Sequence, residues 1–442
     1  MRKILSPLRL TKTVLISCLG LFFMVSIVSS AIADTAVADK NAQITLGETL
    51  YMDATLSKNQ NQSCATCHNP APKAPQLVGS FIDDRDPVQA LTEAGWPKKV
   101  PPPVSQGSDP ILFGGRNTPS SAYAAFSPGF RFDEVLGLYV GGQFWDGREM
   151  SLAGQAAGPF RNPVEMAMAD KKTVVATLQD DPGGRGYQTL FEQAYSTEDG
   201  PFDLSAVDIS NNQTVLEAYD LMAKAIGEFE KTQFFNKFNS KYDYYLAGKE
   251  TLKKDEMKGL ELFEVEGKCG LCHISQQSIA PNDGPMPPLF TDFTYDNLGL
   301  PRNTYIDILV PPADPPIPDL GLGGVLNDPA QHGKFKVMTL RNIELTAPYG
   351  HNGVFQTLEQ IVHFYNTRDV LPPCESHPDP DFGFNCWPSP EVPKNVNIDE
   401  LGDLKLTPLE EQQIVAFLKT LTDRDPKKFP PVFNAADFPP MP

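Results

Sequence analysis

Two pentapeptides carry the chemistry of this chain. Cys64-Ala65-Thr66-Cys67-His68 and Cys269-Gly270-Leu271-Cys272-His273 both read C-x-x-C-H. Two thiols at this spacing, followed at once by an imidazole, form the attachment pattern of a c-type haem. The sulfurs add across the porphyrin vinyl groups, and the histidine takes the proximal position on the iron. The bland alternatives are a thioredoxin-type redox pair or a zinc site. Neither explains a histidine after both motifs, and a four-cysteine zinc site would have to join Cys64 to Cys272. Two covalent haems are expected, one on Cys64, Cys67 and His68, the other on Cys269, Cys272 and His273.

Such a chain must reach a compartment where haem is attached. Arg2, Lys3, Arg9 and Lys12 form a basic start, Val14 to Val28 is mostly apolar, and Ala31-Ile32-Ala33 is a small-residue cleavage site. This pattern predicts an export signal over residues 1–33 and a mature periplasmic protein from Asp34. The apolar run is short for a membrane span, and no later segment reads as one. Leu15-Ile16-Ser17-Cys18 resembles a lipid-acceptor site, but the longer apolar stretch follows Cys18 instead of preceding it, which argues against lipidation. The net charge is −18, or −22 without the four basic residues of the leader. That charge excludes nucleic acid as a partner and favours cationic ones. Two cysteines fall outside the leader and the pentapeptides, Cys374 and Cys386, in a Pro/Gly-rich loop. An oxidising compartment predicts a disulfide there, with two free thiols as the alternative.

The elements that position the motifs read as an internal repeat. Gly47-Glu48-Thr49-Leu50-Tyr51 precedes the first pentapeptide and Gly259-Leu260-Glu261-Leu262-Phe263 the second. Each is a G-x-x-L-aromatic helix of the kind small cytochrome c folds carry. A second echo follows: Asp146-Gly147 leads to Ser151-Leu152, and Asn352-Gly353 to Thr357-Leu358, at equal spacing. Ser151 and Thr357 suit helix N-caps, and Thr357 with Gln360 reads as a capping box. A helix is expected from about Thr214 to Phe235, ending the first domain or joining the two. Proline-dense stretches (Pro97 to Pro110, Pro281 to Pro288, Pro311 to Pro318 and the tail after Pro426) read as surface loops, and no alternating strand pattern of any size is present. The expectation is a mainly α protein with two cytochrome c-like haem domains, residues 34–212 and 213–442.

Further motifs lie between these elements. Phe144-Trp145-Asp146-Gly147-Arg148, Gln155 and Asn162-Pro163-Val164-Glu165-Met166 occupy the first half; Leu340-Arg341-Asn342 and Leu345-Thr346-Ala347-Pro348-Tyr349 occupy the second. In combination they resemble the bacterial di-haem cytochrome c peroxidases and their relative MauG, over nearly the whole mature chain.

The resemblance implies site roles. Glu165 would move a proton between the two oxygens of hydrogen peroxide, a task suited to a carboxylate whose pKa burial has raised; Gln155 would line the same pocket. Trp145 would lie between the haems and relay electrons. Calcium would be held by Asn117 and the carbonyls of Thr346 and Pro348, hard oxygen donors, although the stretch from Asn117 to Trp145 is longer than the family pattern. Many family members block the first iron with a loop histidine, but this chain has none between His68 and His273. An open first iron is therefore expected, with water or a loop methionine as the alternative sixth ligand. For the second iron the family ligand is methionine or, in MauG, tyrosine. If Thr357 caps the next helix, Leu358, Ile361, Val362 and Tyr365 share a face, and His363 lies about 140° round from Leu358. Tyr365 is the expected ligand, with Met338 or a merely hydrogen-bonded tyrosine as alternatives.

The function expected is reduction of hydrogen peroxide to water, with electrons from a small c-type cytochrome or cupredoxin. A MauG-like oxidation of partner-protein residues, typically tryptophan, is the close alternative. A di-haem electron-transfer cytochrome is the alternative of another class. The resemblance also makes a homodimer possible.

Overall fold

The computed structural model describes residues 37–70, 81–197, 200–276, 278–279 and 285–438. The leader expected over residues 1–33 lies outside them. Six helices matter for the site: α1 (Lys40–Met52), α2 (Leu152–Ala157), α3 (Asn212–Glu230), α4 (Lys254–Glu264), α5 (Leu358–Thr367) and α6 (Pro408–Leu418). No strand among the described residues exceeds three residues, so the fold is mainly α. The longest pairing is the hairpin of β1 (Arg131–Asp133) and β2 (Leu138–Val140), which fills the long stretch between Asn117 and Trp145.

Local chemistry sets the helix ends. The Asp39 side chain accepts from the backbone N–H groups of Asn41 and Ala42 and starts α1. Thr407 and Glu410 close a capping box over α6, with Pro408 at its first position. Thr357 caps α5 by accepting from the Gln360 N–H at 3.2 Å, but the expected box is not formed: the Gln360 amide oxygen accepts from Gln356 N–H at 2.7 Å instead. The helix expected to reach Phe235 stops at Glu230. Beyond it the chain turns tightly, and Phe235 packs against Tyr51 and Phe81 at centroid distances of 5.4 and 4.6 Å. Burial of that ring outweighs another turn of helix.

Two helix crossings are built alike. α1 crosses α3 at Gly47, where a Cβ would overlap the Ala225 carbonyl oxygen and lie 2.9 Å from the Phe229 Cβ. α4 crosses α6 at Gly259, where a Cβ would overlap the Gln413 carbonyl oxygen and lie 2.9 Å from the Phe417 Cβ. In both cases only glycine lets the two backbones approach so closely.

Two apolar cores result. The first gathers Leu46, Leu50 and Tyr51 of α1 with the inner face of α3, Phe238 and residues as distant in sequence as Phe293 and Phe438; the second gathers Leu262 and Phe263 of α4 with Phe355, Phe364 and Phe417. The buried face of α3 belongs to the first core. Its apolar stripe (Val215, Ala218, Met222, Ile226) packs on α1 and leaves nothing for the second core.

Buried polar ties join distant segments. The Arg341 guanidinium donates two bonds of 3.0 Å to the Asp243 carboxylate, both side chains almost fully buried. The Tyr123 hydroxyl donates to Asp423 at 2.9 Å, and Asn342 Nδ2 donates to the same carboxylate at 3.0 Å. Cys374 and Cys386 are bonded as a disulfide, next to Trp387, which packs edge-on against Phe364. The described parts of the proline-dense stretches carry no α-helix.

Candidate active site

Each C-x-x-C-H turn opens on its own cavity. The first is bordered by Cys64, Cys67 and His68; the second by Cys269, Cys272 and His273. His68 Nδ1 lies 3.2 Å from the Phe81 carbonyl oxygen, and His273 Nδ1 lies 2.8 Å from that of Phe290. A ring N–H given to a backbone carbonyl fixes the tautomer and leaves Nε2 as the ligating atom. Phe81 and Phe290 both have left-handed backbones, with φ of 49° and 55°, so the same kink presents the carbonyl in each half. Burial holds both imidazoles below their ordinary pKa, His273 at about 4. They are therefore neutral, the form that binds iron.

Burial pushes all four thiols up, Cys67 to about 11 and Cys269 and Cys272 to about 12. A redox-active thiol pair needs the opposite shift. None of the four is in a disulfide. Unpaired thiols at the rim of a large cavity, beside an imidazole with Nε2 available, fit a thioether-bound haem.

The residues singled out for peroxide chemistry border the first cavity. Gln155 sits on α2, which Ser151 caps by accepting from Gly154 N–H at 3.1 Å. Glu165 follows a turn closed by its N–H to the Asn162 carbonyl at 3.0 Å. Burial raises its carboxyl above the usual carboxylate range; Arg148 and a hydrogen bond from Asn162 oppose that rise. Arg148 is held by Asp146 at 2.9 Å and lies 3.6 Å over the Phe144 ring.

Trp145 borders both cavities. Its indole N–H donates to the Asn117 carbonyl at 2.9 Å, and its own carbonyl accepts from Lys336 N–H at 2.8 Å. Ties at both ends fix the ring in the wall between the cavities.

Tyr365 and Ile361 point from α5 into the second cavity, which Met338 also borders. Burial pushes the tyrosine hydroxyl up. His363 faces away, with Nδ1 2.9 Å from Glu411 Oε1. Asn117, Thr346 and Pro348 all border this second cavity. Asn117 Nδ2 donates to the Pro103 carbonyl at 3.1 Å, which leaves its oxygen as the ligating atom for a cation.

Two site residues escaped the sequence reading. Glu230 is buried at the end of α3, and no hydrogen-bond partner reaches its Oε2. Met222, Ile226 and Glu230 follow one another at intervals of four, so an acid on the apolar stripe was a visible signal. Lys336 is buried between the cavities, its Nζ donating to the Gly142 carbonyl at 2.6 Å and its ammonium pulled down by burial to about 7. No periodicity marks it, because it lies on a two-residue strand.

The comparisons with known proteins match this geometry. Residues 41–251 match the family model of the di-haem cytochrome c peroxidases. The chain is 38% identical to the methylamine utilization protein MauG of Paracoccus denitrificans, over 89% of this chain and 91% of that one. The chain belongs to the di-haem cytochrome c peroxidase family. It is also 28% identical to the cytochrome c551 peroxidase of Nitrosomonas europaea, over 88% of this chain and 83% of that protein. The structure resembles the di-haem peroxidase BthA of Burkholderia thailandensis (Y463M variant), with a TM-score of 0.69 and 28% identity, over 88% of this chain and 87% of that one. This di-haem family member is an oxidoreductase with two haems as its cofactors. Among its described residues no helix is long and apolar enough to cross a membrane.

Proposed function

We propose that the protein is a periplasmic enzyme that reduces hydrogen peroxide to water at its first haem, drawing electrons through the second from a small c-type cytochrome or cupredoxin. The observation that carries this reading is a raised carboxyl, Glu165, beside Gln155 in the cavity of the first C-x-x-C-H turn. The haems, held by thioethers to Cys64 and Cys67 and to Cys269 and Cys272, supply iron that binds peroxide and iron that passes electrons. The chain's own residues do the rest. Phe81 and Phe290 hold the proximal imidazoles by their Nδ1 atoms. The Glu165 carboxylate takes the proton from one peroxide oxygen and returns it to the other, which departs as water. Gln155 orients the peroxide. The similar helix crossings at Gly47 and Gly259, and the similar histidine ties, support two haem-binding halves derived from one fold.

No histidine other than His68 borders the first cavity among the described residues. This supports an open first iron at rest, and a ferric spectrum with one high-spin and one low-spin haem tests it. A wholly low-spin first haem refutes it.

Trp145 carries electrons between the haems in this reading. Trp145→Phe keeps the aromatic volume but is far harder to oxidise. Turnover with the electron-donor protein is expected to fall at least about tenfold, about 1.4 kcal/mol of barrier, while the first encounter with peroxide in stopped flow keeps its rate. Loss of both rates would assign Trp145 to the peroxide pocket instead.

Tyr365 would hold the second iron as a phenolate, which favours the oxidised state, and Asn117, Thr346 and Pro348 would hold calcium in the wall nearby. Tyr365→Phe is expected to change the ferric spectrum of the second haem and raise its midpoint potential. An unchanged spectrum leaves the ligand to Met338. The position of Tyr365 in the second cavity, with the 38% identity to MauG, favours a second reading in which peroxide oxidises residues of a partner protein. Slow turnover of reduced cytochrome, together with a near-infrared band on adding peroxide, would select it. Peroxide reactivity equally low in wild type and in Glu165→Gln would favour a pure electron-transfer cytochrome.

A further inference from the structure

We infer that Glu230 is the proton donor of the first haem cavity, a second carboxyl that works beside Glu165 with a different task. This assignment rests on the peroxide reading above and deepens it. Reduction of hydrogen peroxide to two waters breaks the O–O bond and consumes two electrons and two protons. The electrons come from the redox partner. Glu165 transfers peroxide's own proton from one oxygen to the other and so supplies none in net terms. At least one buried group must bring in protons from outside the peroxide, and be refilled from solvent.

Glu230 has the position and the state for this. It closes the last turn of α3 and borders the first cavity. α2, which carries Gln155, packs against α3 one turn earlier, where a Cβ on Gly227 would lie 3.3 Å from Ala153 N. Its Oε2 has no partner in the protein, which is rare for a buried polar atom and marks it for something the cavity receives. Its electrostatic neighbours are few. α1 presents Tyr51, whose hydroxyl is tied to the His68 carbonyl at 3.1 Å, and the C-x-x-C-H turn presents Cys64, uncharged once it is a thioether. Glu165 belongs to the same cavity, and α2 has no ionisable side chain. The helix Lys171–Asp180 meets α3 far from Glu230, where Lys171 pairs with Asp220 at 3.9 Å. Arg116, Arg148 and Lys336 line the same cavity, but Arg116 and Arg148 pair with Asp146, and Lys336 donates to the Gly142 carbonyl; burial is what lifts Glu230 to about 8. The acid form is therefore present below about pH 8 and lost above it.

The test uses the holoenzyme, with Glu230→Gln and Glu230→Asp. Gln keeps the shape and neutrality of the protonated acid, so haem content and the ferric spectrum should match wild type. Wild-type turnover should fall above about pH 8. In E230Q it should be lower at neutral pH by about tenfold or more, with that alkaline limb gone and a larger solvent deuterium isotope effect. E230D should retain a limb at a shifted pH. Independently of turnover, infrared spectra at neutral pH should show a carboxylic-acid carbonyl band in wild type that E230Q lacks. An E230Q enzyme with wild-type rate and an intact alkaline limb, or with no acid band lost, overturns the assignment while leaving the peroxide reading intact. A wild-type enzyme that turns over no peroxide overturns both. Should E230Q fail to take up haem, an E230D enzyme with no limb of its own overturns it equally.

Discussion

Glu165→Gln is expected to lower peroxide turnover by about 10²–10⁴-fold, the usual contribution of a positioned acid–base group. The substitution keeps the side chain's size and removes its ability to accept a proton. Haem content should stay as in wild type, since the side chain's volume is kept. The pH profile provides the second check. The working form is the carboxylate, so wild-type activity falls as pH drops through the group's pKa. Burial has raised that pKa above the ordinary 4.5, and the acid limb should lie above that value. In the Gln variant the limb should vanish with the rate. A variant that turns over peroxide like wild type, with the same acid limb, would remove Glu165 from the mechanism.

Asp243→Ala is expected to destabilise the protein by about 3–5 kcal/mol, because it leaves the Arg341 guanidinium charged and unpaired in the interior. Arg341 is 1% and Asp243 0% exposed, and the guanidinium also lies 4.8 Å from the Tyr123 ring and 4.6 Å from that of Phe238. The measurement is the urea midpoint of the holoprotein at constant m. Arg341→Met combined with Asp243→Ala removes the stranded charge and should recover part of the loss. A single variant that loses less than about 1 kcal/mol would place the pair with ordinary surface bridges.

Short motifs mark where side chains lie more readily than which distant partners they meet. Glu165 stands in a short motif, and the structure puts it with Gln155 in the first cavity. The same holds for Trp145 at the shared wall and for Tyr365 on the inner face of α5, because a local pattern of turn and helix decides where each points. Leu340-Arg341-Asn342 was equally visible as a motif, but its work was not. Arg341 serves Asp243 and Asn342 serves Asp423, partners 98 and 81 residues away. No periodicity links such positions. The extent of the first core was hidden for the same reason. The helical period of α3 reveals an apolar stripe, and only the close crossing at Gly47 decides which half it joins. Gln360 meets the Gln356 N–H in place of that of Thr357, a choice that a four-residue motif does not encode.

The residues that border both cavities, Asn117 to Ser120 and Lys336 to Thr339 with Trp145 and Asp319, make one partition serve two chambers. Each face of that partition is completed by a prosthetic group on its own side. Loading of the two sites is therefore expected to be coupled: a porphyrin seated on one side would firm the surface that the other would lie against. A singly loaded chain would be an unstable halfway product, and maturation should tend towards all or nothing.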